Sequence, residues 1–284
     1  MFTDSPVTPC RLEILIDVLR DFSRKDWTRA DLALVLQPKG LPDVSSSSDQ
    51  AKNTVSAAKE LGIFSENSDG IRLVQGPKAE PTRDFLLGAL DDKVASATDI
   101  EPYYGPFYSY LLHQDKEKSR PKDGEDWAIR FNQECVRYAR VDNPFNKTKH
   151  TGLHRWYDYS GHGWTDTSGV FQPNPYGRVK RALVKVFGSE KRLSADAFFL
   201  ALSTICPELD GGDMFLHTAP SKYDPQLKQL SLGLSHALVD LHQDRVIQLH
   251  CPADSRGWSI EGAQPPIDGN LMRSSRIDHV EYVR

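Results

Sequence analysis

The 284-residue chain is 39% hydrophobic and 10% aromatic, with a mean hydropathy of -0.50, which is enough apolar material for two or three small cores. No run approaches the roughly 18 uninterrupted apolar residues of a membrane span, and the opening Met-Phe-Thr-Asp-Ser-Pro lacks the basic and apolar regions of a secretory signal. A cytoplasmic protein without a membrane partner is expected, and the scattered Cys10, Cys135, Cys206 and Cys251, never in a C-x-x-C pair, argue against structural zinc and redox chemistry.

Taken in chain order, Leu12, Ile16 and Leu19 mark one stripe of a first helix over 9–22. Asp26 or Thr28 can cap a short helix over 29–36, which Pro38 and Gly40 stop. After the Ser45–Ser48 loop, Ala51, Val55, Ala58 and Leu61 stripe a third helix over 49–61, with Gly62 as its C-cap. Two β-prone runs then flank a Ser-Asp-Gly turn within 63–74, a hairpin signature. Three helices followed at once by a hairpin resemble a winged helix-turn-helix.

Residues 76–81 read as a linker, followed by helical patterns over 83–96, 103–113 and 127–140, a charged loop over 114–126 and a short helix over 151–159. The C-terminal part repeats the opening order. A helix over 178–187 ends at Gly188, and Ser194 caps a second helix carrying Phe198, Leu202 and Ile205. A long helix from Pro225 to His242 is striped by Leu227, Leu230, Leu234, Leu238 and Leu241. Residues 246–249 and 258–260 are expected to form a second wing, and residues from 264 onward an extended tail.

The fold class expected is therefore mainly α with short β-hairpins. Two winged helix-turn-helix domains, 1–75 and 177–263, flank a helical middle region over 76–176.

A net charge of -4 is a poor start for a nucleic-acid binder, whose affinity comes from Lys and Arg displacing counterions. From Arg130 to Arg192, however, twelve Lys or Arg face five acids, a local balance of +7 that leaves -11 for the rest. Phosphate contact should centre on that stretch.

If Ala51, Val55 and Ala58 face inward, then Gln50, Lys52, Asn53, Ser56 and Lys59 face solvent as a polar row able to read bases, with Arg72 on the wing. The bland alternative is a solvated helix face, since residues 1–75 hold nine Lys or Arg against eleven acids. The corresponding C-terminal row, Lys228, Gln229, Ser231, Ser235, His236 and His242, suits packing or a protein partner better.

Between them, Lys147, Lys149 and Arg155 interleave with Trp156, Tyr157, Tyr159 and Trp164, a mixture suited to phosphate contact and base stacking, or to a packed core with solvated cations. Arg178, Lys180 and Arg181 extend the basic set. His150 and His154 lie four apart, as in zinc sites, with His162 nearby, but no H-E-x-x-H is present and no metal or other cofactor is expected. P-loop, G-x-S-x-G and G-x-G-x-x-G signatures are missing, so a non-catalytic role is expected.

The Lys-x-x-Gly-Leu-x-x-Trp stretch from Lys149 to Trp156, the Gly-His-Gly-Trp turn at 161–164 and the Pro-Asn-Pro segment at 173–175 lie between the two helix-hairpin regions. In this arrangement the chain resembles the DpdG family, accessory components of the bacterial gene cluster that places 7-deazaguanine bases in DNA and restricts foreign DNA. It is also similar in outline to two-winged-helix accessory proteins of other phage-defence clusters. The resemblance implies a non-enzymatic subunit that engages double-stranded DNA beside helicase or nuclease partners. A protein-interaction scaffold and a transcription regulator are the alternatives.

Overall fold

The computed structural model describes residues 7–22, 27–38, 49–68, 70–74, 80–95, 102–114, 123–138, 142–221, 223–262 and 275–283. The expected cap at Asp26, the serine loop, most of the linker and most of the charged loop fall outside them. The chain divides into two compact units, residues 1–101 with 148–156, and residues 102–147 with 157–284. Most of the predicted middle region thus shares a unit with the C-terminal elements. No helix among the described residues is long and apolar enough to cross a membrane. Cys10 is exposed and Cys135, Cys206 and Cys251 are buried, all as free thiols.

In the first unit, α1 (Pro9–Asp21) starts where Thr8 Oγ1 accepts from the Arg11 amide and Pro9 occupies the first turn. The helix α2 (Arg29–Leu36) opens with a capping box between Thr28 and Asp31. The third helix, α3 (Asp49–Glu60), ends in a Schellman motif: Ile63 N–H donates to Ala58 O and Gly62 N–H to Lys59 O. Gly62 takes φ +73°, which a residue without Cβ adopts at little cost. The antiparallel pair β1 (Phe64–Asn67) and β2 (Gly70–Leu73) follows at once, with Phe64 opposite Leu73.

Ile71 N–H also donates to Trp27 O, so the residue before the α2 cap lies on the free edge of β2. Leu12, Leu15, Ile16, Leu32, Ala58, Ile63 and Ile71 form the core. The last helix of this region, α4 (Thr82–Ala95), packs on α1.

In the second unit, α5 (Tyr104–His113) is buried from Tyr104 to Leu112, as befits a helix with no polar face. Phe107 meets Phe145 with ring centroids 4.4 Å apart, next to Phe131 on α6 (Gly124–Glu134). A 3-10 turn covers Val136–Tyr138. The next helix, α7 (Lys147–Ser160), is longer than predicted and is shared between the units, with residues 148–156 in the first; β3 (Gly163–Thr165) with β4 (Phe171–Pro173) makes a short hairpin after it.

Further along come α8 (Tyr176–Phe187), β5 (Arg192–Ser194), α9 (Ala195–Ile205), α10 (Asp213–Thr218) and α11 (Leu232–Gln243). The remaining strands are β6 (Ile247–His250), β7 (Trp258–Ser259), β8 (Arg276–Ile277) and β9 (His279–Tyr282). The buried stripe Val179, Ala182, Leu183, Val186 and Phe187 seats α8 against α9 and α11.

Two expectations are corrected here. The predicted second wing does not close on itself: β6 pairs with β9, and β7 with β8. The predicted tail instead supplies β9, the central strand of the antiparallel order β5-β9-β6, with Leu193 and Leu249 both opposite the fully buried Val280. The reason is range: two buried apolar residues, Ile277 and Val280, in a polar context carry no local strand signature, and Val280 finds its partners as far back as Leu249 and Leu193. The predicted start of α11 also moves, because Lys228 at φ +50° breaks the chain after the 3-10 turn Pro225–Leu227 and Ser231 Oγ supplies the cap.

At its far end α11 repeats the motif of α3, with Val246 N–H donating to Leu241 O and Arg245 N–H to His242 O. Here the left-handed position holds Arg245, at φ +57°. Arg245→Gly is therefore expected to stabilise the chain by roughly 0.5–1 kcal/mol, read as a higher urea midpoint. A lower midpoint would contradict the left-handed geometry.

Candidate nucleic-acid interface

On α3 the inward stripe Ala51, Thr54, Val55, Ala57 and Ala58 is buried, which leaves Gln50, Lys52 and Asn53 exposed and Ser56 half-buried. The row read from the sequence therefore lies on one open face. Its last member differs: Lys59 Nζ sits 2.7 Å from Glu66 Oε2 on β1, and Arg29 binds the same carboxylate through Nε and Nη2 at 2.9 and 2.7 Å. Hydrogen bonds from Arg29 and then Lys59 hold the Glu66 carboxyl down at about 2.

Lys59 is thus largely neutralised, and the open cationic charge of α3 reduces to Lys52. Arg72 is exposed on β2. Arg11, absent from the sequence reading, donates to Gln50 Oε1 at 2.6 Å and adds a cation beside the row. Its position 39 residues away left no pattern to find.

On α7 the basic trio separates. Lys147 and Arg155 are exposed, whereas Lys149 is only 6% exposed and is not placed to meet phosphate. Trp156 and Tyr157 are fully buried, so of the aromatic residues proposed for stacking only Trp164, on β3, presents most of its ring to solvent. The rings of His150 and His154 lie 4.0 Å apart, and burial, then the neighbouring His150, keeps His154 neutral down to about 3. Among the described residues no group of three or more His, Cys, Asp or Glu is arranged to hold a metal.

His162 belongs to a different arrangement, inside the second unit. Its Nδ1 is 2.7 Å from Ser160 Oγ, which is 2.7 Å from the Tyr104 hydroxyl. Its Nε2 is 3.5 Å from Glu208 Oε1, too long for a strong hydrogen bond. Arg178 Nε donates to the same oxygen at 2.8 Å, and Arg178 Nη2 to Ile205 O at 2.9 Å.

Ser160, His162 and Glu208 are fully buried and Arg178 is 2% exposed. Burial disfavours the Glu208 carboxylate, but the Arg178 charge and the contacts with His162 together outweigh it and keep the carboxyl at about 2. Burial holds His162 neutral against the pull of Glu208. Closed to solvent, Tyr104, Ser160, His162, Arg178 and Glu208 tie the turn after α7 to α5, α8 and the segment after α9 within the second unit.

Arg178, read as a phosphate contact, is corrected accordingly: helical geometry turns it inward with Val179 and Ala182, where its charge is matched by a carboxylate. Lys180 is exposed and Arg181 half-exposed on α8.

The turn that positions His162 depends on Gly161, at φ +71°, whose carbonyl accepts from the amides of Gly177 and Arg178 at the start of α8. A Cβ on Gly161 would lie 2.9 Å from the Gly177 Cα, so neither position has room for a side chain. Asn174 completes the join, with Nδ2 donating to Asp240 and Oδ1 accepting from the Tyr176 amide.

The helix α11 contrasts with α3. Gly233, Leu234, Ser235, Ala237, Leu238, Val239, Leu241 and His242 are buried, because α11 packs against α5, α8, β4 and β6. Ser231, Ser235 and His242 of the expected C-terminal row are therefore inside the unit.

The family described as DpdG-like matches residues 3–255, most of the chain and both units. The chain belongs to the DpdG-like family. No curated protein and no solved structure matches it. Within the matched span, the Gly-His-Gly-Trp and Pro-Asn-Pro segments are those that seat α8 and close the buried network around His162.

Proposed function

We propose that this chain is a non-catalytic accessory subunit of a prokaryotic DNA-modification or phage-defence system, engaging duplex DNA through α3 beside a helicase or nuclease partner. Membership of the DpdG-like family supports the setting. The observation that carries the DNA contact is the open face Gln50, Lys52 and Asn53 on α3, with Arg11 beside it and Arg72 exposed on β2.

A winged-helix reading of both units is supported by their common order. Leaving aside the short α10, residues 9–73 and 176–282 each run helix, helix, third helix, Schellman turn and strand, with a last strand lying between the residues before the second of these helices and the strand after the third. Only the first unit leaves its third helix available to a groove, so base contact is assigned there. Lys147 and Arg155 add phosphate contacts.

The test is a mobility shift on duplex DNA across about 50–200 mM salt. Lys52→Glu with Asn53→Ala is expected to weaken binding about tenfold or more and to relax any sequence preference. Lys147→Glu with Arg155→Glu should weaken all duplexes alike. Binding unchanged by the α3 pair would overturn the reading. A protein-interaction scaffold is favoured by Leu200, Leu227 and Val184 on the second unit, 70%, 61% and 59% exposed, and a wild-type chain that retards no duplex would select it.

A further inference from the structure

We propose that the second unit grips nucleic-acid phosphates with the outer face of α8 and the turn into β5, in place of its closed third helix. The inference rests on the DNA engagement proposed above and assigns to the second unit a separate surface for it.

Residues 176–187 carry four cations and no carboxylate. Arg178 is turned inward on Glu208, and the others point outward: Lys180 and Lys185 are exposed and Arg181 is half-exposed. At 100° per residue, Lys180, Arg181, Val184 and Lys185 share one face, and Val184 in its midst is 59% exposed. Lys191 and Arg192 continue the basic run, both exposed.

Carboxylates border this face. Glu190 lies in the turn, Asp244 accepts from the Tyr176 hydroxyl, and Glu281 sits opposite Arg192 in the sheet, 3.3 Å from His250. Over residues 176–192, six Lys or Arg stand against one carboxylate, Glu190.

The shape favours phosphate over bases. The face offers charged ends around one apolar side chain and none of the amide groups that read base edges. Lys180 and Lys185 are separated by about 7.5 Å along the helix, close to the rise of two phosphates along one strand, about 6.8 Å. The platform is rigid, since α8 packs on α9 and α11 and its first amides are held by Gly161 O. Binding therefore orders only the side chains.

The experiment uses the full chain with Lys180→Gln, Lys185→Gln and Lys191→Gln together, on a random-sequence duplex over a salt series. The slope of log affinity against log salt is expected to fall by about 2 to 3, with affinity near physiological salt at least tenfold weaker for every duplex alike. Circular dichroism and melting checks that the fold is kept, and Lys185→Glu with Lys191→Glu gives a second, independent variant. An unchanged slope in both variants, with binding still lost in the Lys52→Glu chain, would overturn this inference and leave the α3 reading standing. Loss of binding to polyglutamate without any change on DNA would overturn it in favour of an acidic protein partner. A wild-type chain that binds no duplex would overturn both.

Discussion

Glu208→Gln is expected to destabilise the chain by about 3–5 kcal/mol, because it leaves the Arg178 guanidinium charged and uncompensated in the interior. Arg178 is 2% exposed, and its Nε bond to Glu208 is 2.8 Å. With Nη2 committed to Ile205 O, the guanidinium has no route to water without moving α8. A loss of that size is a large share of the roughly 5–15 kcal/mol that holds a domain folded.

Urea denaturation followed by circular dichroism is the measurement. Arg178→Met with Glu208→Leu should recover most of the loss, since removing both charges also removes their desolvation cost. A cost below about 1 kcal/mol for Glu208→Gln would mean that the pair is hydrated and that the network is not a closed one.

Acid should weaken the second unit steeply, beginning near pH 6.5. Burial holds His113 down at about 4 despite its bond to the Phe215 carbonyl, and burial likewise keeps His162 below its ordinary value. Both are neutral when folded and take up a proton when unfolded. The unfolded state therefore binds more protons, and stability present above about 6.5 is lost as pH falls.

Each histidine contributes up to about 1.4 kcal/mol per pH unit while only its unfolded form is protonated, a window that for His113 runs from about 6.5 down to about 4. Glu208 acts in the same direction over a lower window. With its carboxyl lowered from 4.5 to about 2, its stabilisation is complete above 4.5 and lost as pH falls toward 2. Thermal melts between pH 8 and pH 5 should show the midpoint falling, and His113→Gln should make that fall shallower. A flat profile would show that these rings are solvated.

The element pattern of the first unit was legible because its signals are local. Leu12, Ile16 and Leu19 mark α1 at helical spacing, Thr28 with Asp31 caps α2, and Gly62 ends α3 where a left-handed residue is needed. The short β1-β2 hairpin follows from its turn. Solvent exposure of Gln50, Lys52 and Asn53 follows from the same periodicity, since alanine and valine on the other face determine which side turns inward.

What composition and spacing determined, then, was a mainly helical chain with a central excess of cations and an open polar row on α3. Which of those cations remain at the surface was decided by tertiary packing alone. Lys149 and Lys147 look alike in sequence, yet one is buried and the other exposed. Arg178 and Lys180 are two residues apart, yet only Arg178 meets Glu208, 30 positions further on.

The place of β9 between β5 and β6 and the closure of α11 were likewise beyond local reading. Hydrophobic periodicity reports which side of an element turns inward. Whether a second element also covers the other side depends on contacts far apart in the chain, and it is this coverage that separates an open α3 from a closed α11.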